Sequence, residues 1–143
     1  MKVLFVCHAN VGRSQVAQVY FDKLSKHESG SAGMGVDENV AKLALPSRKL
    51  RDIPTQRSVV YIQREFGVDA SENESTQLTP EMIDEADRVI IINERERWLN
   101  YVKEGGKVVH WDIPDSLGME DDSAFDVYRQ IRERVEELVR EIG

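Results

Sequence analysis

The sequence has very little cysteine and histidine. Cys7 is the only thiol among 143 residues, so an internal disulfide and a cysteine-based zinc site are both excluded. The three histidines, His8, His27 and His110, lie in separate segments without the clustered partners that a metal site requires. We therefore expect no bound metal, and a role for Cys7 that is structural, incidental or chemical.

Basic residues are outnumbered, with 19 lysines and arginines against 26 aspartates and glutamates and a formal net charge of −7. This balance argues against a general nucleic-acid binder, although a local loop can still hold a small anion. No apolar run approaches the ~20 residues needed to cross a bilayer, and the first residues lack the features of a signal peptide. We expect a cytoplasmic protein that binds neither nucleic acid nor membranes.

The remaining composition is that of a folded protein, with 41% hydrophobic residues in evenly spaced blocks. The length suits one domain with its own core, since domains commonly have ~100 to ~150 residues. We found no repeat, low-complexity segment or linker. We predict a single domain over residues 1–143.

Strand-like and helix-like segments alternate along the chain. Strands are predicted at 2–6, 28–33, 88–92 and 107–111, and helices at 15–26, 54–66, 79–86, 94–103 and from 123 onward. The segment 34–53 is predicted to be irregular, and Gly105-Gly106 to be a turn. This order predicts an α/β sandwich in which helices cover both faces of a parallel sheet. Ligands of such sheets bind beyond the carboxyl ends of the strands, where Cys7 follows the first strand.

One polar loop follows that first strand. Its residues are Cys7, His8, Ala9, Asn10, Val11, Gly12, Arg13 and Ser14. The intervening residues can curl so that their backbone N–H groups point inward as an anion-binding nest, next to the positive end of the following helix. Asn10 and Gly12 tolerate the left-handed backbone that such a ring requires. We predict that residues 8–13 bind a tetrahedral oxyanion.

The same loop carries groups suited to phosphoryl transfer. Arg13 can hold two oxygens in a bidentate fork and stabilise a trigonal-bipyramidal transition state. The positive field of the loop favours the thiolate of Cys7, and Ser14 can donate a hydrogen bond to the sulfur when a phosphocysteine is hydrolysed. An ordinary buried thiol is the alternative for Cys7. The combination of strand, Asn, Gly, Arg-Ser and helix favours catalysis over that alternative.

These residues resemble the C-x5-R-S loop of the low-molecular-weight protein tyrosine phosphatases and the related thioredoxin-coupled arsenate reductases. Further segments match that family along nearly the whole chain: Ser31-Ala32-Gly33, Phe66-Gly67-Val68-Asp69, Ser75-Thr76-Gln77-Leu78 and Ala86-Asp87-Arg88-Val89-Ile90. The resemblance implies a three-layer sandwich with a four-stranded parallel sheet flanked by helices. It also implies that the cysteine attacks phosphorus, the loop arginine binds the phosphoryl group and a distant aspartate protonates the leaving oxygen.

The aspartate lies in the segment that follows the last predicted strand. The resemblance aligns Asp115 with the general acid of the family's Asp-Pro pair, although Ser116 replaces the proline and Asp112 is close enough to compete. A protonated carboxyl at the mouth of the site can act first as an acid and then as a base. Either aspartate can instead be a turn residue. We predict Asp115 as the general acid.

Two departures from the family concern the reaction. Family members that prefer phosphotyrosine carry aromatic residues after the Asp-Pro pair, whereas Leu117-Gly118-Met119 follows here. The arsenate reductases need two further cysteines, and Asn93 and Glu94 stand near the place of the first. Reduction of arsenate would therefore need an external thiol. A phosphocysteine carrier is disfavoured because such carriers lack the arginine and the acid.

Flanking residues bear on the substrate. The cations at 42, 48, 49 and 51 can favour acidic substrates and the acids at 120–122 can disfavour them, or both groups can be solvated surface. Trp111 is the better candidate for the rim of the pocket, and Trp98 is expected to be packing.

We predict a cysteine-dependent phosphomonoesterase that acts on a phosphorylated protein or a small phosphomonoester, uses no cofactor and is inhibited by phosphate-like oxyanions. The alternatives are an arsenate reductase that uses an external thiol and a non-catalytic phosphoanion-binding module.

Overall fold

The structure, a computed structural model, describes residues 1–54 and 56–143. Its strands are β1 (Lys2–Cys7), β2 (Glu28–Gly33), β3 (Arg88–Ile91) and β4 (Val108–His110). Its helices are α1 (Arg13–Leu24), α2 (Val36–Lys42), α3 (Arg57–Phe66), α4 (Pro80–Glu85) and α5 (Asp121–Ile142). The strands form one four-stranded sheet in the order β2-β1-β3-β4, and every pairing is parallel. None of the described helices is both long and apolar enough to span a membrane.

The sheet is buried on both faces because β1, one of its two inner strands, has buried apolar side chains at every position from Val3 to Cys7. Val3 and Phe5 of β1 face one core, which contains buried residues of α1, α3 and α5. Leu4 and Val6 face the opposite core, which α4 and the segment before β4 help to cover. Successive side chains of a strand point to opposite faces, so one continuous apolar strand supplies both cores. The predicted α/β sandwich with a four-stranded parallel sheet is confirmed.

The strand order places the polar loop at a reversal point of the sheet. From β1 the chain crosses through α1 to β2 on one side, and later returns to β3 on the other side of β1. The carboxyl ends of β1 and β3 therefore open a crevice between the segments that follow them. Cys7 is the last residue of β1 and lies at that crevice.

The segment 94–103 was predicted as a helix, and this prediction is wrong. Only the short 3₁₀ turn Arg95–Arg97 forms, and the backbone is extended at Trp98. The indole N–H of Trp98 donates to the carbonyl of Asn93 at 2.9 Å, and the indole packs against the second core with Leu99. The apolar residues that gave the segment its helical spacing therefore pack from an irregular chain.

Two further predictions need correction in the chain before α3. The helix predicted from residue 54 begins at Arg57, because Gln56 adopts a non-helical backbone and donates its side-chain amide to the carbonyl of Leu50 at 2.8 Å. Pro54 therefore lies outside the first turn of α3. The segment 34–53, predicted to be irregular, contains helix α2.

Candidate active site

The loop between β1 and α1 surrounds the sulfur of Cys7 with hydrogen-bond donors. The thiol is buried at the end of β1. The backbone N–H of Asn10 donates to Cys7 Sγ at 3.2 Å, and Ser14 Oγ lies 3.0 Å from the same sulfur. Donors of this kind can stabilise negative charge on the sulfur when it leaves a phosphorus atom. One backbone N–H of the predicted nest, that of Asn10, thus points at the sulfur of Cys7.

The direction of these hydrogen bonds follows from Asn10. Asn10 has the left-handed φ of 54° that the sequence predicted for this position. Gly12, for which the same conformation was expected, has a φ of −107° instead. Its Oδ1 accepts from the backbone N–H of Thr76 at 2.8 Å, so its amide nitrogen must be the atom that donates to Ser14 Oγ at 2.7 Å. The hydroxyl hydrogen of Ser14 is then available to donate to Cys7 Sγ. A chain of donors thus runs from Thr76 to the nucleophile.

Two glycines allow the neighbouring chain to press against this loop. A Cβ on Gly33 would lie 2.6 Å from the carbonyl oxygen of His8, and a Cβ on Gly35 would lie 2.5 Å from the His8 ring. The carbonyls of Cys7 and His8 accept backbone hydrogen bonds from Met34 and Gly35 at 3.0 and 2.9 Å. Glycine is required at position 33, where the two backbones approach so closely. The Ser31-Ala32-Gly33 match therefore has a packing reason.

Arg13 is buried, with 4% of its side chain exposed, and one of its terminal nitrogens is fixed by hydrogen bonds. Its Nη1 donates to the carbonyls of Ile92 at 2.9 Å and Ile113 at 3.0 Å and to Glu94 Oε1 at 2.7 Å. Nη1 has only two hydrogens, so these three acceptors saturate it. Among the described residues, Nε and Nη2 donate no hydrogen bond. These two donors form the free edge of the guanidinium fork.

Glu94 is the functional residue that the sequence prediction missed. Burial raises the pKa of Glu94, but the hydrogen bond and charge of Arg13 outweigh it, so its pKa lies below the ordinary value. The carboxylate is therefore charged at neutral pH and balances Arg13. Its position two residues beyond the predicted strand, at the carboxyl end, was the signal that could have found it.

The structure separates the two candidate acids. Asp115 Oδ2 lies 3.8 Å from Arg13 Nη2, and Asp115 lines the same pocket as Cys7. Its other oxygen, Oδ1, accepts from the backbone N–H of Leu117 at 3.0 Å. Asp112 is exposed and does not line the pocket. The geometry favours Asp115 as the carboxyl that can reach a ligand on Arg13.

The pocket above the loop has a volume of about 520 Å³, far larger than a phosphate ion. Its walls are mainly apolar: Val11, Val36, Val40, Leu43, Leu45, Ile53, Pro54, Leu117 and Tyr128. Its charged residues are Arg13, Lys42, Arg57, Arg97 and Asp115. Asp115 is thus the one carboxylate among the described residues of the lining. The pocket suits an anion attached to an apolar group.

His8 and Tyr128 contribute neutral groups to this pocket. Burial, followed by the charge of Arg97, lowers the pKa of His8, so the ring is neutral at pH 7. Burial raises the pKa of Tyr128, which therefore keeps its hydroxyl proton. A Cβ on Gly12 would lie 3.1 Å from Tyr128 Oη, so the phenol packs directly against the loop.

Trp111 does not form the rim of the pocket, and that prediction is wrong. Its ring lies in the first core, 6.1 Å from the ring of Phe5. Trp111 follows β4 directly, and its side chain points to the face of the sheet that α1, α3 and α5 cover. Trp98 is packing, as predicted.

The two charge groups of the sequence lie mainly on the surface. The cations Arg48, Lys49 and Arg51 form ion pairs with Asp37 and Glu72. Lys42 alone of this group lines the pocket. Asp121 and Asp122 occupy the first turn of α5, where acids complement the helix dipole. Neither group is placed to control access to Cys7, apart from Lys42.

Comparison with known proteins gives a match over nearly the whole chain. The sequence model of a family described as low molecular weight phosphotyrosine protein phosphatase matches residues 2–143. A protein-arginine-phosphatase of Bacillus subtilis (strain 168) is 28% identical over 156 residues, covering 100% of this chain and 95% of that protein.

Solved structures give the same fold. A low molecular weight protein tyrosine phosphatase from T. tengcongensis superimposes with a TM-score of 0.77 at 23% identity, covering 99% of both chains. A thioredoxin-dependent arsenate reductase of Corynebacterium glutamicum superimposes with a TM-score of 0.67 at 27% identity. That match covers 99% of this chain and 61% of the reductase.

Proposed function

The chain belongs to the low molecular weight phosphotyrosine protein phosphatase family, and from that premise we propose how its residues divide the work of a cysteine-based phosphatase. Cys7 is the nucleophile, Arg13 binds the phosphoryl group, Ser14 assists the sulfur and Asp115 is the general acid. The backbone of residues 8–13 forms the oxyanion site. One phosphatase domain then extends over residues 1–143.

In the first step, Cys7 Sγ attacks phosphorus and the ester oxygen leaves. The backbone N–H groups of the loop and the free edge of Arg13 bind the three non-bridging oxygens, whose charge spreads in the transition state. Asp115 gives its proton to the leaving oxygen, which departs as an alcohol. The product is a phosphocysteine on Cys7.

In the second step, water attacks the phosphocysteine and the sulfur leaves. Asp115, now a carboxylate, accepts a proton from the water, in the reverse of its first role. Ser14 keeps its proton and donates a hydrogen bond to the departing sulfur, a direction set by the bond from Asn10. Inorganic phosphate and the thiolate result, so no metal or organic cofactor takes part.

The observation that carries this proposal is the grouping of three side chains at one pocket. Cys7, Arg13 and Asp115 all line it, although they come from β1, α1 and the segment after β4. A non-catalytic anion-binding module needs the loop but has no use for a carboxylate 3.8 Å from the guanidinium. Hydrolysis uses all three.

The role of Asp115 is tested by varying the leaving group. We expect Asp115→Asn to lower kcat/KM for phenyl phosphate on the order of 10²-fold, because phenolate is a poor leaving group without a proton. The loss for p-nitrophenyl phosphate should be much smaller, since nitrophenolate leaves unprotonated. Asp112→Asn is the matched control and should behave as wild type. If Asp112→Asn shows the leaving-group dependence instead, the acid is wrongly assigned.

For the substrate, we propose an aryl phosphate on a protein, of the phosphotyrosine type. The apolar walls suit a ring, and the cations Lys42, Arg57 and Arg97 disfavour a leaving group that carries positive charge. Phosphoarginine is the second candidate, because the Bacillus subtilis relative is a protein-arginine-phosphatase. Its guanidino group would meet four cations and only one carboxylate in the lining.

Matched peptides decide between these substrates. One peptide sequence carrying phosphotyrosine or phosphoarginine at the same position should be hydrolysed with kcat/KM at least about tenfold higher for phosphotyrosine, because placing like charges together costs several kcal/mol. Release of phosphate is measured for both, with Cys7→Ser as the blank. A preference for phosphoarginine contradicts the assignment and selects the second candidate.

Arsenate reduction has less support than hydrolysis. The reductase match spans 61% of that chain, and Cys7 is the only thiol here, so an external thiol would have to release arsenite. We propose that arsenate, phosphate and similar oxyanions act as competitive inhibitors at the Cys7 loop. We also propose a cytoplasmic location, because a lone catalytic thiol needs a reducing compartment.

A further inference from the structure

The first turn of α3 contacts both catalytic segments through two consecutive residues. Ser58 Oγ donates to the carbonyl of Val11 in the Cys7 loop at 2.6 Å. Arg57 reaches the other way, toward the segment that carries Asp115. Its Nη2 donates to the carbonyl of Ser116 at 2.9 Å, and its Nη1 donates to the carbonyl of Met119. One helix turn thus bridges the nucleophile and the acid.

The segment held by Arg57 is a tight turn. The backbone N–H of Met119 donates to the carbonyl of Ser116 at 3.0 Å, and Gly118 has a φ of +83°. Arg57 therefore grips both ends of the turn with one planar fork, which a lysine cannot reproduce. The only other hydrogen bond to this turn from a distant described residue joins Ser116 Oγ and Tyr128 Oη at 3.4 Å.

The turn at 116–119 also orients the carboxylate of Asp115. The backbone N–H of Leu117, inside the turn, donates to Asp115 Oδ1 at 3.0 Å. That bond leaves Oδ2 on the side of Arg13, 3.8 Å from Nη2. Leu117 is 78% exposed, so its side chain adds little packing to hold the turn in place. Met119 packs on the first core, and Asp115 Oδ2 also lies 3.9 Å from Arg97 Nη1. The carbonyls that Arg57 holds are the contacts that join the turn of Asp115 to α3.

We propose that Arg57 is a positioning residue for the general acid. This inference rests on the proposed role of Asp115. Arg57 holds the turn at 116–119 so that Asp115 faces the leaving oxygen of a phosphate bound at Cys7. A displacement of about 1 Å is enough to cost up to about 10²-fold in rate at a catalytic group.

The competing role for Arg57 is simple attraction of the substrate, because it also lines the pocket. The two roles differ in their dependence on the leaving group. Loss of an attracting charge weakens the binding of all phosphate dianions equally. Misplacement of the acid slows only the hydrolysis of esters whose leaving group needs a proton. The ratio of kcat/KM for p-nitrophenyl phosphate to that for phenyl phosphate separates them.

The experiment measures that ratio for Arg57→Met, Arg57→Lys and the matched control Arg64→Met. Arg64 lies two turns further along α3, is exposed, and contacts Glu65 and Phe125 outside the pocket. We expect Arg57→Met to raise the ratio roughly tenfold or more, Arg57→Lys to raise it partially, and Arg64→Met to leave it unchanged. In the Asp115→Asn background, Arg57→Met should raise the ratio no further.

Each outcome supports or overturns the positioning role of Arg57. An equal loss for both esters, or no loss for either, overturns the positioning role. If Asp115→Asn raises the ratio and Arg57→Met does not, the proposed function stands and this inference fails. If Asp115→Asn itself leaves the ratio unchanged, the acid assignment fails and the inference falls with it. Thermal unfolding of each variant, together with its burst of nitrophenol, shows whether the folded active fraction is the same.

Discussion

Cys7→Ser is expected to abolish turnover of p-nitrophenyl phosphate while leaving the oxyanion site intact. A serine hydroxyl at this position is a far weaker nucleophile than a thiolate. Within residues 1–54 and 56–143, the groups hydrogen-bonded to Cys7 Sγ are the Asn10 N–H and the Ser14 hydroxyl, and neither is a general base. Removal of a catalytic nucleophile commonly costs on the order of 10⁶-fold. We expect activity below detection in steady-state assays.

Binding should survive this substitution because the oxyanion contacts belong to other groups. The backbone of residues 8–13 and the guanidinium of Arg13 do not depend on the sulfur, and Ser14 and Asn10 hold each other through their own hydrogen bond. Phosphate or arsenate should therefore still raise the unfolding temperature of Cys7→Ser, by mass action. Wild-type turnover in this variant would refute the mechanism, and loss of oxyanion binding would refute the assigned geometry.

Arg13→Lys is expected to have the second largest effect. Nη1 of Arg13 donates to Ile92, Glu94 and Ile113. The edge formed by Nε and Nη2 remains for the ligand. An ammonium has three donors at one point and cannot serve both sides. Losing one donor to a developing oxyanion costs about 10²- to 10³-fold in kcat, and we expect a loss of at least that size.

The form of that loss distinguishes transition-state binding from charge alone. Because the fork fits the equatorial oxygens of the transition state, kcat should fall more than the affinity for ground-state phosphate. Both p-nitrophenyl phosphate and phenyl phosphate should be affected to the same degree, unlike in Asp115→Asn. Unchanged kcat in Arg13→Lys, with the charge retained, would show that the fork has no catalytic role.

The sequence predicted the parts of the site that are contiguous in the chain. The nest depends on local backbone preferences, so Asn10 could be predicted to adopt its left-handed conformation from residue type alone. The sheet was predictable for the same reason, because periodicity along β1 and α1 is a local property. The correct predictions are therefore those for features whose residues are adjacent in the chain.

The supports of the site were not predictable in this way. Glu94 and Arg57 act through hydrogen bonds to residues that lie 81 and 59 positions away along the chain, and no local pattern encodes such a pairing. Trp111 was assigned to the pocket because it precedes Asp112 and Asp115, but the side-chain direction after β4 depends on strand register. Register is decided by the pairing of β3 with β4, which a single sequence does not display.

The helix prediction for the segment 94–103 was wrong for a different physical reason. Its apolar residues have helical spacing, but spacing records only which residues need burial. Burial is achieved here by Trp98 and Leu99 packing on the second core from an extended chain. Tertiary packing overrides helix propensity, which is worth only a few tenths of a kcal/mol per residue.

The decisive measurement is the detection of phosphate on Cys7 during turnover. Wild type and Asp115→Asn are mixed with p-nitrophenyl phosphate, denatured within milliseconds at alkaline pH, and mapped by mass spectrometry, with Cys7→Ser as the blank. We expect one phosphoryl group on the peptide that contains Cys7. We expect more of it in Asp115→Asn, where the general base for its hydrolysis is missing. Release of phosphate with no phosphoryl group on Cys7 at any time, or with the group on another residue, would contradict the phosphocysteine mechanism.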